Sequence, residues 1–342
     1  YNIDISPNFS IGDTTQIEIL KQEVLEEIFE EKYLQQDEEF IKLINTYTDY
    51  RGDENLKDIL LKIYKYIQSS PFPNKWLEEN IEKFNLSNQL DKDFSNTIWG
   101  EMLLEKFEEE LDSYILELGK IKMDLAKENE LDKYYKIICN DIEILQEVLV
   151  NLDSWDKTYE LLNLIDFKRW PTDKKVISEK KDIAKEARDN IKEEIKKAKK
   201  KIFNCNSMQA NEDMYSMYEI LKKMQKILIE FDIQFSKRKR EKNIIDFNDI
   251  EHFALKILVK QDEDGNSIPT EVARLYQDKF MEIAIDEYQD SNLVQEYILS
   301  SISSGENIFM VGDVKQSIYK FRQARPELFI SKYETYKLKE QK

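Results

Sequence analysis

Cysteine is almost missing from this sequence, with only Cys139 and Cys205 in 342 residues, and histidine occurs once, as His252. That excludes a disulfide framework and a Cys/His metal cluster, and it fits a reducing cytoplasm. Both thiols read as core residues, and His252, with no Cys or second His nearby, as an ordinary helix residue. No long apolar run is present, so neither a signal peptide nor a membrane span is expected. Positive charge is in deficit as well: 51 Lys and Arg against 69 Asp and Glu leave a net charge of −18. That balance argues against a generally basic nucleic-acid-binding domain, although an acidic protein can still carry a local basic groove. None of the 7 glycines stands in G-x-x-x-x-G-K-[ST], so the phosphate-cradling loop of nucleotide hydrolases is not in this sequence. There is also no Met at position 1, and the last predicted helix meets no stop signal. A piece of a longer chain accounts for all three absences.

What is present is a strongly helical pattern, with 41% hydrophobic and 35% charged residues. The length allows a sizeable core and two structural units. From Asp13 to about Phe235 one helix follows another. Asp13 and Gln16 suit a capping box, after which Ile17, Leu20, Val24, Ile28 and Leu34 recur near helical spacing. A helix after Asp53 puts Leu56, Ile59, Leu60, Ile63, Tyr64 and Ile67 on one side. Ser69-Ser70-Pro71-Phe72-Pro73 breaks the pattern, and Trp76 and Leu77 begin a short helix. Trp99 to Leu125 reads as a long helix with Met102, Leu103, Phe107, Leu111, Tyr114, Ile115 and Leu118 facing inward. Its partner runs from Leu131 to Leu152, and Trp170-Pro171 ends the next unit. These stripes are assigned to packing.

Two charge-rich stretches follow. Lys180 to Lys201 mixes both signs and reads as a long solvated helix. Lys237-Arg238-Lys239-Arg240, with Lys242, reads equally as a set of phosphate contacts or as a solvated helix end. Asp246 is an N-cap for a helix through Ile250, Phe253, Ala254 and Leu258. Asp262-Glu263-Asp264-Gly265-Asn266 lacks the ligand spacing of a calcium loop and reads as a surface turn.

The chemistry concentrates further on. Ile283-Ala284-Ile285 fits a short buried strand, and Asp286-Glu287 follows where such a strand ends, which is where α/β sheets place their ligands. A carboxylate at that edge can hold Mg²⁺ and a second can orient the water that attacks a γ-phosphate. The bland alternative is a strand ending in a turn, with Asp290 or Ser291 capping the next helix. A second strand, Ile308-Phe309-Met310-Val311, runs into Gly312-Asp313, then Gln316, then aromatics and cations in alternation. If that tail is extended, Tyr319 and Phe321 share a face suited to stacking on unpaired bases, and Lys320 and Arg322 share the other.

At these two stretches the sequence resembles the UvrD-like superfamily 1 helicases. Their motif II, D-E-x-Q-D, is matched by Asp286 to Asp290, and their motif III, G-D-x-x-Q-S-I-Y-x-[FW]-R, by Gly312 to Arg322. Lys315 before Gln316, and Gln323 where simple helicases carry Gly, look more like the recombination helicase-nucleases. Pro7 to Ile11 and Glu18 to Leu25 are similar to the segment that follows the early helicase motifs of AddA-type proteins. Ile244 to Ile250 resembles the D-F-x-D-[LI] element by which such chains return from their helical subdomain to the ATPase core.

The resemblance implies an internal fragment of an AddA-type helicase-nuclease subunit, with a RecB-type or simple UvrD-like parent as the alternative. It implies a large all-helical subdomain of 1B type over residues 1–240. Residues 241–342 would be part of a RecA-like parallel-sheet ATPase core of 1A type, with strand 281–285, helix 292–303, strand 307–311 and helix 326–338. ATP and Mg²⁺ are the implied cofactors. Asp286 would hold the metal, Glu287 the hydrolytic water, Gln316 would sense the γ-phosphate, and Arg322 would couple motif III to the nucleotide. Tyr319 and Phe321 would stack on DNA. The implied partners are single-stranded DNA, duplex ends and an AddB-type subunit, with an exonuclease elsewhere in the full-length chain. A different P-loop ATPase would share only Asp286-Glu287, and a non-enzymatic helical docking module is the third reading.

Overall fold

The computed structural model describes residues 7–47, 52–172, 176–262, 266–316 and 325–340. In chain order the elements are β1 (Ser10–Ile11), α1 (Thr14–Leu34), α2 (Glu38–Tyr47), α3 (Glu54–Ile67), α4 (Pro73–Glu82), α5 (Ile98–Leu125), α6 (Asp132–Val150), α7 (Trp155–Leu164) and α8 (Glu179–Lys201). They continue with α9 (Ser207–Glu241), β2 (Ile244–Ile245), α10 (Phe247–Leu258), β3 (Val259–Gln261), β4 (Ser267–Pro269), α11 (Glu271–Lys279), β5 (Ile283–Ile285), α12 (Leu293–Ile302), β6 (Ile308–Met310) and α13 (Pro326–Glu340). The chain is mainly helical with small sheets, as its composition implies. Two compact units divide it, one of residues 82–219 and one of residues 1–81 with 220–342. Compactness therefore cuts the chain at two places, whereas the change in composition falls near residue 240.

In the unit of residues 82–219, Thr97 starts α5 by accepting the Gly100 N–H on its hydroxyl at 3.0 Å. Only glycine fits at position 100, because a Cβ there would lie 2.0 Å from the Phe94 carbonyl oxygen. Leu104, Phe107, Leu111, Leu118 and Leu125 of α5 share one buried cluster with Tyr134, Ile138 and Leu145 of α6. Met102, expected to face inward, is 58% exposed, since it lies off the stripe that Leu104, Phe107 and Leu111 define.

The charged helix α8 also departs from its expected solvated character. Its Lys196, Lys197 and Lys200 are exposed, but Ala184, Ala187, Ile191, Ile195 and Ala198 are buried at helical spacing. Between them Arg188 is inside the unit, its side chain 2% exposed against 1% for Asp141. The guanidinium donates to both Asp141 oxygens and, at 2.6 Å, to the Lys168 carbonyl, and lies 5.6 Å from the Trp170 ring. Burial raises the Asp141 pKa and Arg188 opposes that rise. A buried charge persists only when its partners are complete, as they are here.

In the other unit, Leu20, Val24, Leu25, Ile28 and Phe29 of α1 are buried with Leu56, Leu60 and Tyr64 of α3, whereas Leu34, in the last turn, is 86% exposed. Tyr64 packs edge-on against Phe231 of α9 at 4.8 Å and donates to Asp232 at 2.9 Å. Near the start of the chain β1 runs parallel to β2, pairing Ser10 with Ile244 and Ile11 with Ile245. These contacts gather the N-terminal elements with α9 and β2, far along the sequence.

The basic cluster at the end of α9 is largely absorbed by the fold. Lys239 has a side chain only 5% exposed, 3.0 Å from Asp246 and 2.6 Å from Asp249. Its ammonium also lies 4.4 Å from the Phe235 ring centroid. Asp246 and Asp249 form a reciprocal capping box on α10, so the expected N-cap is found and both carboxylates are structural. Burial raises the Asp249 pKa, Lys239 lowers it, and Asp246 raises it. Arg238 pairs with Glu27 at 2.7 Å and Lys242 approaches Glu23 at 3.9 Å. Asp262 accepts the Asn266 N–H at 2.8 Å beneath the β3–β4 hairpin, as a surface turn should; residues 263–265 lie outside the described residues.

Two expectations follow. Lys239→Met should lower stability by about 3 kcal/mol or more, because it leaves two carboxylates facing each other without their cation. The unfolding midpoint in urea measures this; an unchanged midpoint would return Lys239 to the solvent. The second concerns Asp93, which accepts from the Ser154 hydroxyl at 2.6 Å, the Trp155 N–H at 2.8 Å and the Ser95 N–H at 3.0 Å, so that one carboxylate caps two helical turns. Burial alone would raise its pKa, but these hydrogen bonds hold it below the usual carboxylate range. A lowered folded pKa means a contribution complete above the unfolded value of about 4 and lost as pH falls through the folded one. Asp93→Ala should therefore cost about 1–2 kcal/mol near neutral pH, with the difference from wild type shrinking in acid.

Candidate functional site

The β5 strand of Ile283, Ala284 and Ile285 forms as expected, and its partner β6 lies parallel to it. Ile283 faces Ile308, Ala284 faces Phe309 and Ile285 faces Met310. Helix α12 makes the connection, giving the β-α-β-α order read from the sequence. The strands are less buried than that reading held, with Ala284 exposed and Phe309 66% exposed. A ribbon of only two strands cannot cover both of its faces.

Parallel pairing brings the two strand ends side by side, so Asp286-Glu287 and Gly312-Asp313 leave the same sheet edge. The Val311 N–H donates to Ile285 O and the Tyr288 N–H donates back to Val311 O, both at 2.9 Å. The ladder thus continues past the strands into the turns. Glu287 takes a left-handed conformation, φ 51° and ψ 39°, which costs a non-glycine residue about 1 kcal/mol and collects at functional sites. Its N–H donates to Asp286 Oδ1 at 2.9 Å.

Between the two loops lies Gln289, 1% exposed. Its Nε2 donates to Glu287 Oε2 at 2.6 Å and its Oε1 accepts the Asp313 N–H at 2.9 Å. The Gln316 amide donates to Asp313 Oδ2 at 3.0 Å, and the Lys315 N–H donates to Asp313 Oδ1 at 3.0 Å. Gly312 has no side chain for a steric reason: a Cβ there would stand 2.4 Å from Gln289 Oε1.

The turn is braced from behind. Tyr288 is fully buried; its hydroxyl donates to Glu296, whose other oxygen lies 2.6 Å from Lys332 Nζ on α13. Phe329 packs 5.9 Å from the Tyr288 ring, and the Arg325 N–H donates to Ser291 O at 3.1 Å. Pro326 opens α13, the expected position for a residue without an N–H. Asn292 caps α12 in a box with Gln295, rather than Asp290 or Ser291, because its side chain reaches the N3 amide. Both amides also donate to Glu251 of α10, at 3.3 and 2.8 Å.

A cleft of about 380 Å³ opens beside Ile285, Asp286, Glu287, Asp290 and Gln295. Asp286 and Glu287 are exposed at its rim. With Asp313, the edge is rich in carboxylates, which repel a bare polyphosphate and suit a divalent cation. Among the described residues no group of three His, Cys, Asp or Glu side chains converges on one point. Mg²⁺ carried by a nucleotide does not need one, since phosphates and water fill most of its sphere. Asp286 Oδ2 accepts no hydrogen bond among the described residues, so one oxygen at the strand end is available to such an ion.

The structure therefore brings together Asp286, Glu287 and Gln316 of the expected site residues. Tyr319, Phe321 and Arg322 lie outside the described residues. Sequence reading placed Gln289 in motif II but gave it no role, because its contacts depend on a partner 24 positions away. It missed the Asn292-x-x-Gln295 cap, for which the capping-box pattern was a usable signal. No described helix is long and apolar enough to cross a membrane.

Residues 1–337 match the UvrD/REP helicase N-terminal domain. The chain is 40% identical over 347 aligned residues to an ATP-dependent helicase/nuclease subunit of Clostridioides difficile, covering 98% of this chain and 27% of that protein. Proteins of the same name from Acetivibrio thermocellus and Clostridium acetobutylicum are each 38% identical over 98% of this chain. It spans 27–28% of the length of these relatives. With that match extending over nearly its whole length, and with motif II and Gly312 to Gln316 leaving one sheet edge, the chain belongs to the UvrD/REP helicase family.

Proposed function

We propose that this chain is the part of an ATP-driven DNA helicase that carries motifs II and III together with a helical subdomain, in a protein of AddA type. The full-length protein would hydrolyse ATP to move along single-stranded DNA and unwind duplex ends for recombinational repair. It would work in the cytoplasm beside an AddB-type subunit, with an exonuclease elsewhere in its chain. The subdomain reading, 1B-like over residues 1–240 and 1A-like over 241–342, belongs to the same proposal. The uncovered Ala284–Phe309 face supports a sheet completed by strands from outside these residues.

One observation carries the reading: Asp286-Glu287 and Asp313-Gln316 stand at adjacent ends of parallel strands, joined by hydrogen bonds. ATP with Mg²⁺, when bound, supplies the electrophilic phosphorus and the charge compensation that phosphoryl transfer needs. Asp286 would hold the ion at the strand end. Glu287, whose carboxylate accepts from Gln289, would position the hydrolytic water. Gln316, whose amide donates to Asp313, would sense the γ-phosphate. Arg322 would couple the same loop to the nucleotide, and Tyr319 and Phe321 would stack on bases, so that nucleotide state and grip on DNA would meet within a few residues.

ATP hydrolysis by the full-length polypeptide, with and without single-stranded DNA, tests this. Turnover should rise with DNA, and Glu287→Gln should lower kcat by about 100-fold or more while nucleotide binding survives. Turnover that ignores DNA, or that Glu287→Gln leaves intact, would sink the motor reading in favour of a helical docking module. The present segment alone, without a phosphate loop, should show no appreciable Mg²⁺-dependent turnover.

A further inference from the structure

We propose that Gln289 is a positioning residue that links the hydrolytic carboxylate of Glu287 to the phosphate-sensing Gln316, through the backbone and side chain of Asp313. The inference rests on the hydrolytic reading of Glu287 and Gln316 and adds the residue that sets them relative to each other. The links are continuous. Gln316 Nε2 donates to Asp313 Oδ2 at 3.0 Å, the Asp313 N–H donates to Gln289 Oε1 at 2.9 Å, and Gln289 Nε2 donates to Glu287 Oε2 at 2.6 Å. Each amide or N–H points its donor toward Glu287, so displacement of Gln316 by a phosphate is felt at the water-holding carboxylate through three contacts.

The chemistry of the site selects glutamine. Position 289 must accept from one loop and donate to the other, and a primary amide does both without charge. An ionised carboxylate could still accept from Asp313 but would face Glu287 with like charge in a site only 1% exposed. Asparagine is one methylene shorter and cannot span the gap. Methionine fills the volume and makes neither bond. The neighbouring strand is shaped to the same contact, because a Cβ at Gly312 would stand 2.4 Å from the accepting oxygen of Gln289. Among the described residues, the charged groups near it are Asp286, Glu287 and Asp290 on its own turn, Asp313 and Lys315 on the facing loop, Glu296 on α12, Arg325 just before α13, and Glu327, Lys332 and Glu334 on α13; the side-chain donor to Glu287 is Gln289.

The test uses the full-length protein in complex with its partner and measures kcat and KM for ATP, with saturating single-stranded DNA, as a function of pH. Gln289→Met should lower kcat on the order of 10- to 100-fold at every pH, with KM changed little, because a misplaced catalytic group costs rate rather than binding. Gln289→Glu should be as slow at about pH 8 but recover toward wild type as pH falls to about 6, since the introduced group has a raised pKa and its protonated form donates as the amide did. The ratio to wild type at each pH isolates this from other titrations. Gly312→Ala leaves Gln289 in place but displaces its oxygen, and should reproduce the loss in kcat even if the Gln289 variants fold poorly.

Gln289 and Gly312 variants within twofold of wild type would overturn the proposal while leaving the hydrolytic reading intact. So would a Gln289→Glu defect with the same ratio at all pH values, which would mean lost packing. A wild-type protein that does not hydrolyse ATP would overturn both.

Discussion

Because β5 and β6 run in the same direction, with Ile285 opposite Met310, the loops that leave them start from one edge of the sheet. An antiparallel partner would have sent Gly312 and Asp313 to the far end of β5. From this register follow the short backbone bonds between Val311, Ile285 and Tyr288, the left-handed turn at Glu287 and the inward placement of Gln289. The close approach of Gly312 is part of the same constraint, since two loops this near leave no room for a methyl group. A buried amide, Gln289, ties the two loops and their carboxylates to each other.

Residues on both sides of positions 317–324 are anchored to one short turn. Asp313, before them, is bound to Gln289, and Arg325, after them, is bound to Ser291. Tyr288, beside those anchors, is fixed by Glu296 and Lys332, so α12 and α13 share the same support. A change at the strand edge can therefore reach α13 without large backbone movement.

Elsewhere the acidic composition shapes how cations are used. Lys239 and Arg188 sit inside their units, each matched to carboxylates placed by neighbouring helices. Their removal would leave uncompensated charge, so they act as structural cations. Arg238 and Lys242, by contrast, make pairs on the surface with Glu27 and Glu23. Such exposed pairs are worth little, and salt screens them.

Helical spacing and capping residues were legible in the chain itself: the stripes of α1, α3, α5 and α6, the Asp246 cap, Pro326 at the start of α13 and the two strands with their acidic ends. These follow from local rules, in which a residue's neighbours three or four positions away decide its face. Met102 and Leu34 escaped those rules, because a stripe gives a direction but not where the neighbouring element ends. The buried places of Lys239 and Arg188 were not legible either, since each depends on a carboxylate that another element supplies. Sequence alone determined that Asp286-Glu287 and Gly312 to Gln316 follow strands. Only the tertiary structure decided that those ends lie side by side with Gln289 between them, because hydrogen bonds between residues 24 positions apart exist only once the chain has closed that loop.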